Sequence, residues 1–239
     1  MKFEDIKKLH QKKFREELRH FIVEGEHLVQ ELEKAAARDA RLRQSEIYVT
    51  RDYAHWSSPL PMHVVKSAQM AQISETRSPQ GIAAVVPMFE ARERRDDERA
   101  VYLHEIQDPG NLGTILRTLA WFGNFRCLLS PDSVDVHNGK VVRASMGAIF
   151  HVPVEIDVPL DALRGRFARI ACLDLDGEAV ATAGFRQFEC YLFGNEARGL
   201  PAEARALARG FTIRGTGAIE SLNVAATVNI SLYELHRNA

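Results

Sequence analysis

Polar residues follow strand-like apolar runs at three places in the second half of the chain. The segments are DPGNLGTILRTLAWFG (Asp108–Gly123), FGNEARGL (Phe193–Leu200) and IESLNVAATVNISLYELHR (Ile219–Arg237). In each, Asn, Gly, Glu, Ser or Arg stands where a strand-like run gives way to a helix-like run. Open α/β sheets bind ligands at the ends of their strands. Three junctions with matching polar chemistry therefore predict one composite site.

The first segment places an arginine near a polar turn. Pro109 and Gly110 form the turn, and Asn111 is of a type that caps a following helix. Arg117 projects from the first two turns of that helix, near the loop that carries Asn111. A structural cap and an ordinary surface arginine are the alternative interpretation.

The second segment ends a strand with Gly194, which allows a ligand to approach the backbone closely. Glu196 then begins a turn, where its carboxylate can accept hydrogen bonds or pair with an arginine. A plain strand-to-helix turn, with an acidic residue at a helix N-terminus, explains this segment equally well.

In the third segment, Ser221 and Asn223 flank Leu222 at the start of an amphipathic helix. An N-cap accounts for Ser221 but not for Asn223. The preceding GTGAIE lacks the third glycine of a dinucleotide-binding motif and follows the last strand rather than the first. The sequence also lacks a phosphate-loop lysine, HExxH, GxSxG, a CxxC pair and paired carboxylates, so we expect no metal site.

The elements that must position these residues alternate from Arg99 onward, which predicts a parallel α/β domain. The predicted strands are continuous apolar runs, as in sheets buried on both faces, and they span 99–106, 125–130, 168–175, 190–194 and 210–215. The predicted helices span 111–122, 139–148, 202–208 and 221–236.

A charged stretch, EARERRDDER, precedes this domain and predicts a boundary. Before it, we expect a smaller α/β domain with helical periodicity over Phe21–Ala37, a short helix over 68–75, and strands at 45–50, 62–67 and 81–88. The predicted domains are therefore 1–90 and 99–239, with 91–98 as a charged linker.

Composition limits the compartment and the partners. No apolar run approaches the roughly 20 residues that span a bilayer, and the charged N-terminus does not resemble a signal peptide. Cys127, Cys172 and Cys190 lie in apolar surroundings and predict buried reduced thiols, hence a cytoplasmic protein.

Net charge says little about whether the protein binds nucleic acid. A value of −1 excludes binding by bulk charge alone, although basic clusters occur at Lys7–Arg19, Arg92–Arg99, Lys140–Arg143 and Arg164–Arg169. Each cluster is also compatible with an ordinary solvated face. RNA binding would need a patch formed by folding or by dimerisation.

The three segments, in this order and spacing, resemble the motifs of SpoU/TrmH-type RNA ribose 2′-O-methyltransferases of the SPOUT class. The stretches RASMGAIFHVPV (Arg143–Val154) and GEHLVQEL are also similar to that family. The resemblance implies a C-terminal domain with a deep trefoil knot and an N-terminal ribosomal-protein-like RNA-binding domain. It further implies an S-adenosylmethionine cofactor and a homodimer.

The resemblance also assigns residues by position. Asn111 and Arg117 match the first motif, Glu196 the second, and Ser221 with Asn223 the third; these are the expected catalytic residues. The expected cofactor contacts are Gly194, Ile213 and Leu222. Members of that family usually have Ile-Pro-Met-x-Gly where this chain reads Ile213-Arg214-Gly215-Thr216-Gly217. This departure predicts a more flexible or differently charged loop over the methionine moiety.

The expected reaction is methyl transfer to a ribose 2′-hydroxyl. Ribosomal RNA is favoured as substrate because an added N-terminal domain suits a large structured RNA. A transfer RNA methyltransferase, a non-catalytic RNA-binding assembly factor on the same fold, and a different nucleotide-binding α/β enzyme are the alternatives.

Overall fold

A computed structural model describes residues 1–237 and divides them into two compact units. The first contains Met1–Phe89 together with Asp135–His151, and the second contains residues 90–134 and 152–237. The last two residues of the second predicted domain lie outside the described part of the chain.

The first unit is built on a four-stranded sheet in the order β1-β4-β2-β3. The strands are β1 His20–Glu24, β2 Glu46–Val49, β3 Met62–Val64 and β4 Ile82–Pro87. The helices up to β4 are α1 Phe3–Ile6, α2 Lys12–Leu18, α3 Glu26–Ala36 and α4 Ser67–Ile73.

The prediction that helical structure begins near Phe21 is wrong. Phe21, Ile22 and Val23 are aromatic or β-branched residues, and they pair antiparallel with β4 as part of β1. Gly25, with a φ of 99°, separates this strand from α3. The predicted periodicity holds from Glu26 onward, because Leu28 and Leu32 are buried in the core of the unit.

The segment Asp135–His151 packs with the first unit, whereas the predicted ranges place it in the second domain. Arg15 is buried and donates a hydrogen bond from Nε to Asp135 Oδ2 at 3.0 Å. The rings of Phe21 and His137 lie 4.8 Å apart. The segment carries α6 (Gly139–Ser145), whose Val142 belongs to the core that contains Phe21.

The second unit contains a six-stranded sheet in the order β10-β8-β9-β5-β6-β7, and every neighbouring pair is parallel. Its strands are β5 Arg99–Leu103, β6 Phe125–Leu129, β7 Val154–Glu155, β8 Ile170–Ala179, β9 Cys190–Phe193 and β10 Arg209–Thr212. Its helices are α5 Pro109–Phe122, α7 Leu163–Arg166, α8 Ala202–Leu207 and α9 Val224–His236.

The charged stretch before β5 belongs to the second unit and is fixed there by ion pairs. The Glu98 carboxylate is completely buried and pairs with Arg92 and Arg126. Arg126 also pairs with Glu155, which in turn accepts from Arg166. These ion pairs attach Arg92 and Glu98, which the sequence predicts to lie in a linker, to β6 of the second unit.

The parallel sheet fixes the location of the site. Parallel strands end at the same edge, so the loops after β5, β9 and β10 all leave from their carboxyl ends. The three predicted thiols are free and buried within the described residues, as expected. Over the same residues, no helix has the length and apolar character needed to cross a bilayer.

His137 should make the stability of the protein depend on pH. Burial lowers the pKa of His137 to about 4, an effect that Arg15 and Arg19 reinforce and Asp135 opposes. As the pH falls from about 6.5 towards 4, the unfolded chain therefore binds a proton that the folded chain does not. The free energy of unfolding should decrease over that range by roughly 1–3 kcal/mol.

The substitution His137→Phe should reduce this slope in denaturant titrations between pH 4 and pH 7. His55→Asn, at an exposed histidine, serves as the control and should leave the slope unchanged. Equal slopes in the His137→Phe variant and the parent protein would rule out the effect.

Candidate active site

A chain of side-chain hydrogen bonds joins the three predicted segments. Asn111 Nδ2 donates to Glu196 Oε1 at 3.1 Å, and Asn223 Nδ2 donates to Asn111 Oδ1 at 2.9 Å. The loop after β9, the start of α5 and the start of α9 therefore meet at the carboxyl edge of the sheet. The structure brings together Asn111, Glu196 and Asn223 as one polar cluster.

Asn111 does not cap α5, contrary to the sequence prediction. Asp108 occupies the N-cap position and accepts a hydrogen bond from Asn111 N at 2.8 Å, with Pro109 at the first helical position. Asn111 lies in the first turn, and its side-chain amide is free to connect Glu196 with Asn223.

The cap of α9 is Asn223 rather than Ser221. Asn223 Oδ1 accepts from Ala225 N at 2.8 Å and from Ala226 N at 3.3 Å, while its Nδ2 reaches Asn111. One amide thus ends the preceding loop and fixes the helix against α5. Ser221 is exposed, and no hydrogen bond to its side chain is formed within residues 1–237.

The Glu196 carboxylate accepts hydrogen bonds from the loop after β5. It accepts from Asp108 N at 3.1 Å and from Gln107 N at 3.2 Å, in addition to Asn111. Partial burial raises the pKa of Glu196, but these hydrogen bonds outweigh it and the pKa is lowered. The carboxylate is therefore ionised at neutral pH and anchors the N-terminus of α5.

Arg117 lies outside this cluster. It is exposed on α5, six residues beyond Asn111, and within the described chain its guanidinium has no hydrogen bond or ion pair. Its five N–H donors face solvent, which suits a group that binds an external anion.

The backbone of the loop after β9 leaves no room for a side chain at Gly194. A Cβ atom at this position would collide with the backbone of Gly199 and Leu200. Within the protein itself, Gly194 therefore makes room for Gly199 and Leu200, and the approach of a ligand to this backbone stays a prediction.

The loop after β10 suits a nucleoside-containing cofactor. Over residues 213–222 its backbone N–H and C=O groups form no hydrogen bonds with the rest of the described chain. Leu222 is exposed and Ile213 is half-buried. Many ligand pockets bind a heterocyclic base through free backbone N–H and C=O groups that lie beside apolar side chains. Among residues 1–237, no group of three His, Cys, Asp or Glu side chains is placed to hold a metal ion.

Three residues that contribute to the cluster escaped the sequence analysis. Asp108 could have been recognised, because Asp directly before Pro-Gly is a typical N-cap. Gln107 contributes a backbone N–H, which any residue type supplies. Asn195 is a buried polar residue in the loop after β9, and only the folded loop reveals its role.

Comparison with known proteins identifies the family. A model described as the SpoU rRNA methylase family matches residues 98–233. The chain belongs to the SpoU rRNA methylase family. A second model, described as an MRM3-like substrate binding domain, matches residues 2–84.

Individual members of the SpoU family match over most of the chain. The 23S rRNA (guanosine(2553)-2′-O)-methyltransferase RlmP of Bacillus subtilis is 32% identical, over 98% of this chain and 95% of its own. The 23S rRNA (uridine(2479)-2′-O)-methyltransferase of Streptomyces viridochromogenes is 27% identical, over 78% and 73%. The AdoMet-bound rRNA methyltransferase from Sinorhizobium meliloti has a TM-score of 0.82 at 26% identity, over 99% and 94%.

Several predictions from the sequence are thereby confirmed: the SpoU-type family, the two-part α/β fold with a parallel sheet, the methyltransferase class and the S-adenosylmethionine cofactor. The individual site residues, the trefoil knot and the homodimer stay predictions.

Proposed function

We propose that this protein transfers a methyl group from S-adenosylmethionine to a ribose 2′-hydroxyl of ribosomal RNA. The observation that carries the proposal is the hydrogen-bonded chain Glu196–Asn111–Asn223, which joins all three motifs at the carboxyl edge of the sheet. The 2′-O-methyltransferase activity on 23S rRNA named for RlmP, similar over almost the whole chain, supports ribosomal RNA as the substrate.

The cofactor would be held by Gly194 and Ile213, which directly follow β9 and β10, and by Leu222, just before α9. When bound, its sulfonium supplies an electrophilic methyl group. The exposed Leu222 side chain and the unpaired backbone groups of the loop supply an apolar contact and hydrogen-bonding partners for the adenosine moiety.

Arg117 would bind the acceptor nucleotide. A ribose hydroxyl is a poor nucleophile, and its reactivity rises when the developing alkoxide is stabilised. An ordinary guanidinium stays protonated, so we assign Arg117 to positioning the ribose-phosphate and stabilising negative charge rather than to accepting the proton. Its freedom from internal partners leaves the whole guanidinium available for this role.

The remaining polar residues would orient Arg117 and the loops. Glu196 holds the first turn of α5 through Asp108 and Asn111, and Asn223 ties that turn to α9. These bonds fix the start of α5, and Arg117 lies farther along the same helix. The exposed Ser221 hydroxyl would face the ribose.

The first unit would bind the RNA outside the reacting nucleotide, in keeping with its match to a substrate-binding model. Not every predicted basic cluster is available for this. Arg15 is buried against Asp135, and Arg92 is paired with the buried Glu98. Lys12, Lys13 and Lys140 are exposed and remain candidates for contact with phosphate.

A homodimer through α5 and α9 is part of the proposal. These helices pack together, and Thr118 donates a hydrogen bond to Asn229 between them. Their outer faces expose large apolar side chains: Trp121 is 85% exposed, Tyr233 56% and Ile230 37%. Exposed apolar patches of this kind mark association surfaces. A cytoplasmic location and the trefoil knot complete the proposal.

The activity can be tested on total RNA from cells that lack the gene, with a methyl-labelled donor. We expect label in ribosomal RNA, recovered after digestion as a 2′-O-methylnucleoside and mapped to its nucleotide by sequencing. Label in the transfer RNA fraction would identify the alternative substrate. A complete lack of label would favour a non-catalytic RNA-binding factor.

Arg117→Ala should reduce methyl transfer by about 100- to 1,000-fold, because charge stabilisation in the transition state is lost. Arg117→Lys should recover part of the rate, since it keeps the charge without the planar donor array. Calorimetry should show unchanged affinity for S-adenosylmethionine in both variants. Arg205→Ala, at an exposed arginine on α8 outside the basic clusters, is the matched control. Retained turnover in Arg117→Ala would refute the assigned role.

Trp121→Glu should convert a dimer to a monomer, because a charge would enter the proposed apolar interface. Light scattering during gel filtration gives the molar mass directly. Ile156→Glu, at an exposed apolar residue after β7, should leave the mass of the parent protein unchanged. A parent protein that is already monomeric at micromolar concentration would contradict the dimer.

A further inference from the structure

The loop that presents Glu196 is closed by its own backbone. Asn195 N donates to Gly199 O at 3.1 Å, and Gly199 N donates to Asn195 O at 2.9 Å. Gly194 leaves the space in which Gly199 and Leu200 approach the end of β9. The loop from Gly194 to Leu200 is therefore a compact built structure, and Glu196 lies at its exposed turn.

Asn195 fills the inside of this loop with hydrogen bonds. Its side-chain Oδ1 accepts from Ala197 N at 2.9 Å and from Arg198 N at 3.0 Å, while Nδ2 donates to Glu105 O at 2.7 Å. The residue is only 7% exposed. One amide thus organises the turn around Glu196 and ties it to the loop after β5.

The acceptor on the β5 side is held in an unusual conformation. Glu105 has a φ of 47°, which is disfavoured for a residue with a side chain. Its N–H donates to Ser130 Oγ at 2.6 Å, and its carbonyl also accepts from Gln107 Nε2 at 3.1 Å. Strained backbone persists where its surroundings fix it, and here it aims a carbonyl at Asn195.

We propose that Asn195 is a positioning residue for the methyl-transfer reaction, and this rests on the function proposed above. It sets the distance between the loops after β9 and β5, so that the Glu196 carboxylate meets the amides of Gln107 and Asp108. Through Glu196 and Asn111, it sets the start of the helix that carries Arg117. Asn195 contacts none of the reacting groups and acts through Glu196.

A further link between the two loops, besides those made by Asn195 and Glu196, cannot replace Asn195. Arg198 and Glu105 form an ion pair, but the Arg198 side chain is 70% exposed. Exposed ion pairs of this kind contribute little and are screened by salt. Asn195 is buried and uses both ends of its amide, so its loss should release the loop.

A double-mutant cycle tests the assignment through kcat at saturating S-adenosylmethionine. We expect Asn195→Ala to lower kcat by about 10–100-fold, as a misplacement of about 1 Å does. If Asn195 acts through Glu196, the double variant with Glu196→Ala should be no slower than Glu196→Ala alone. Losses that multiply, or an unchanged kcat in Asn195→Ala, would overturn the proposal.

The cycle needs a conservative variant and a control. Asn195→Ser keeps an acceptor for the loop amides but is too short to bridge to Glu105; it should show an intermediate kcat and replaces Asn195→Ala in the cycle if that variant does not fold. Asn124, before β6 at the opposite edge, also bridges loops by donating from Nδ2 to Asp97 O at 2.7 Å. The control is Asn124→Gly, because the φ of Asn124 is 58° and glycine adopts that conformation without strain. The fold-change in kcat that it causes should be the same with and without Glu196→Ala.

Hydrogen exchange provides a readout that does not depend on activity. The amides of Gln107 and Asp108 donate to Glu196, so their exchange should be at least about 10-fold faster in both Asn195→Ala and Glu196→Ala. Unchanged exchange in Asn195→Ala would overturn the proposal even if the protein were inactive. A parent protein that methylates no RNA would instead refute the proposed function, and the exchange data would still decide the role of Asn195.

Discussion

The arrangement of the site depends on the Glu196 carboxylate. It accepts hydrogen bonds from two successive backbone amides and from the Asn111 side chain, all at the start of α5. These donors lie near a helix N-terminus, where negative charge is favourable. The carboxylate therefore ties the start of α5 to the loop after β9, and Asn223 extends the same network to α9. Glu196 and Asn223 lie 85 and 112 positions after Asn111 in the sequence, and one connected set of hydrogen bonds holds all three residues together.

The division of labour in the site follows from which polar groups are satisfied. Asn111, Glu196 and Asn223 use their side-chain atoms on each other and on the backbone. Arg117 and Ser221 form no such bonds within the described chain and remain open to an external ligand. Because the polar groups of Asn111, Glu196 and Asn223 are satisfied by one another and by the backbone, the cluster holds a defined geometry. The two free groups, Arg117 and Ser221, are the ones that the proposed function assigns to the RNA.

The fold of the second unit could be predicted well because its strands are continuous apolar runs and α5 has a regular buried stripe. β7 was missed because two residues show no period. Phe21–Val23 were assigned to a helix because the helical pattern beginning at Leu28 was extended too far back. The cap assignments failed at Asn111 and Ser221 because several cap-forming residues stand close together, and only the backbone geometry selects Asp108 and Asn223. That the segments carrying Asn111 and Asn223 form one site could be predicted from their polar residues at strand ends, and the family motifs singled out the two residues; their direct bond requires the folded sheet.

The placement of Asp135–His151 has a consequence for how the chain can be divided. This segment leaves the parallel sheet after β6, completes the core around Phe21 and Val142, and returns to form β7. The first unit is therefore not a contiguous stretch of the gene, although its sequence match ends at residue 84. A fragment cut near residue 90 would expose part of that core and leave the buried Arg15 without its carboxylate. Recombination that exchanges whole N-terminal units among relatives would have to exchange this inserted segment with them.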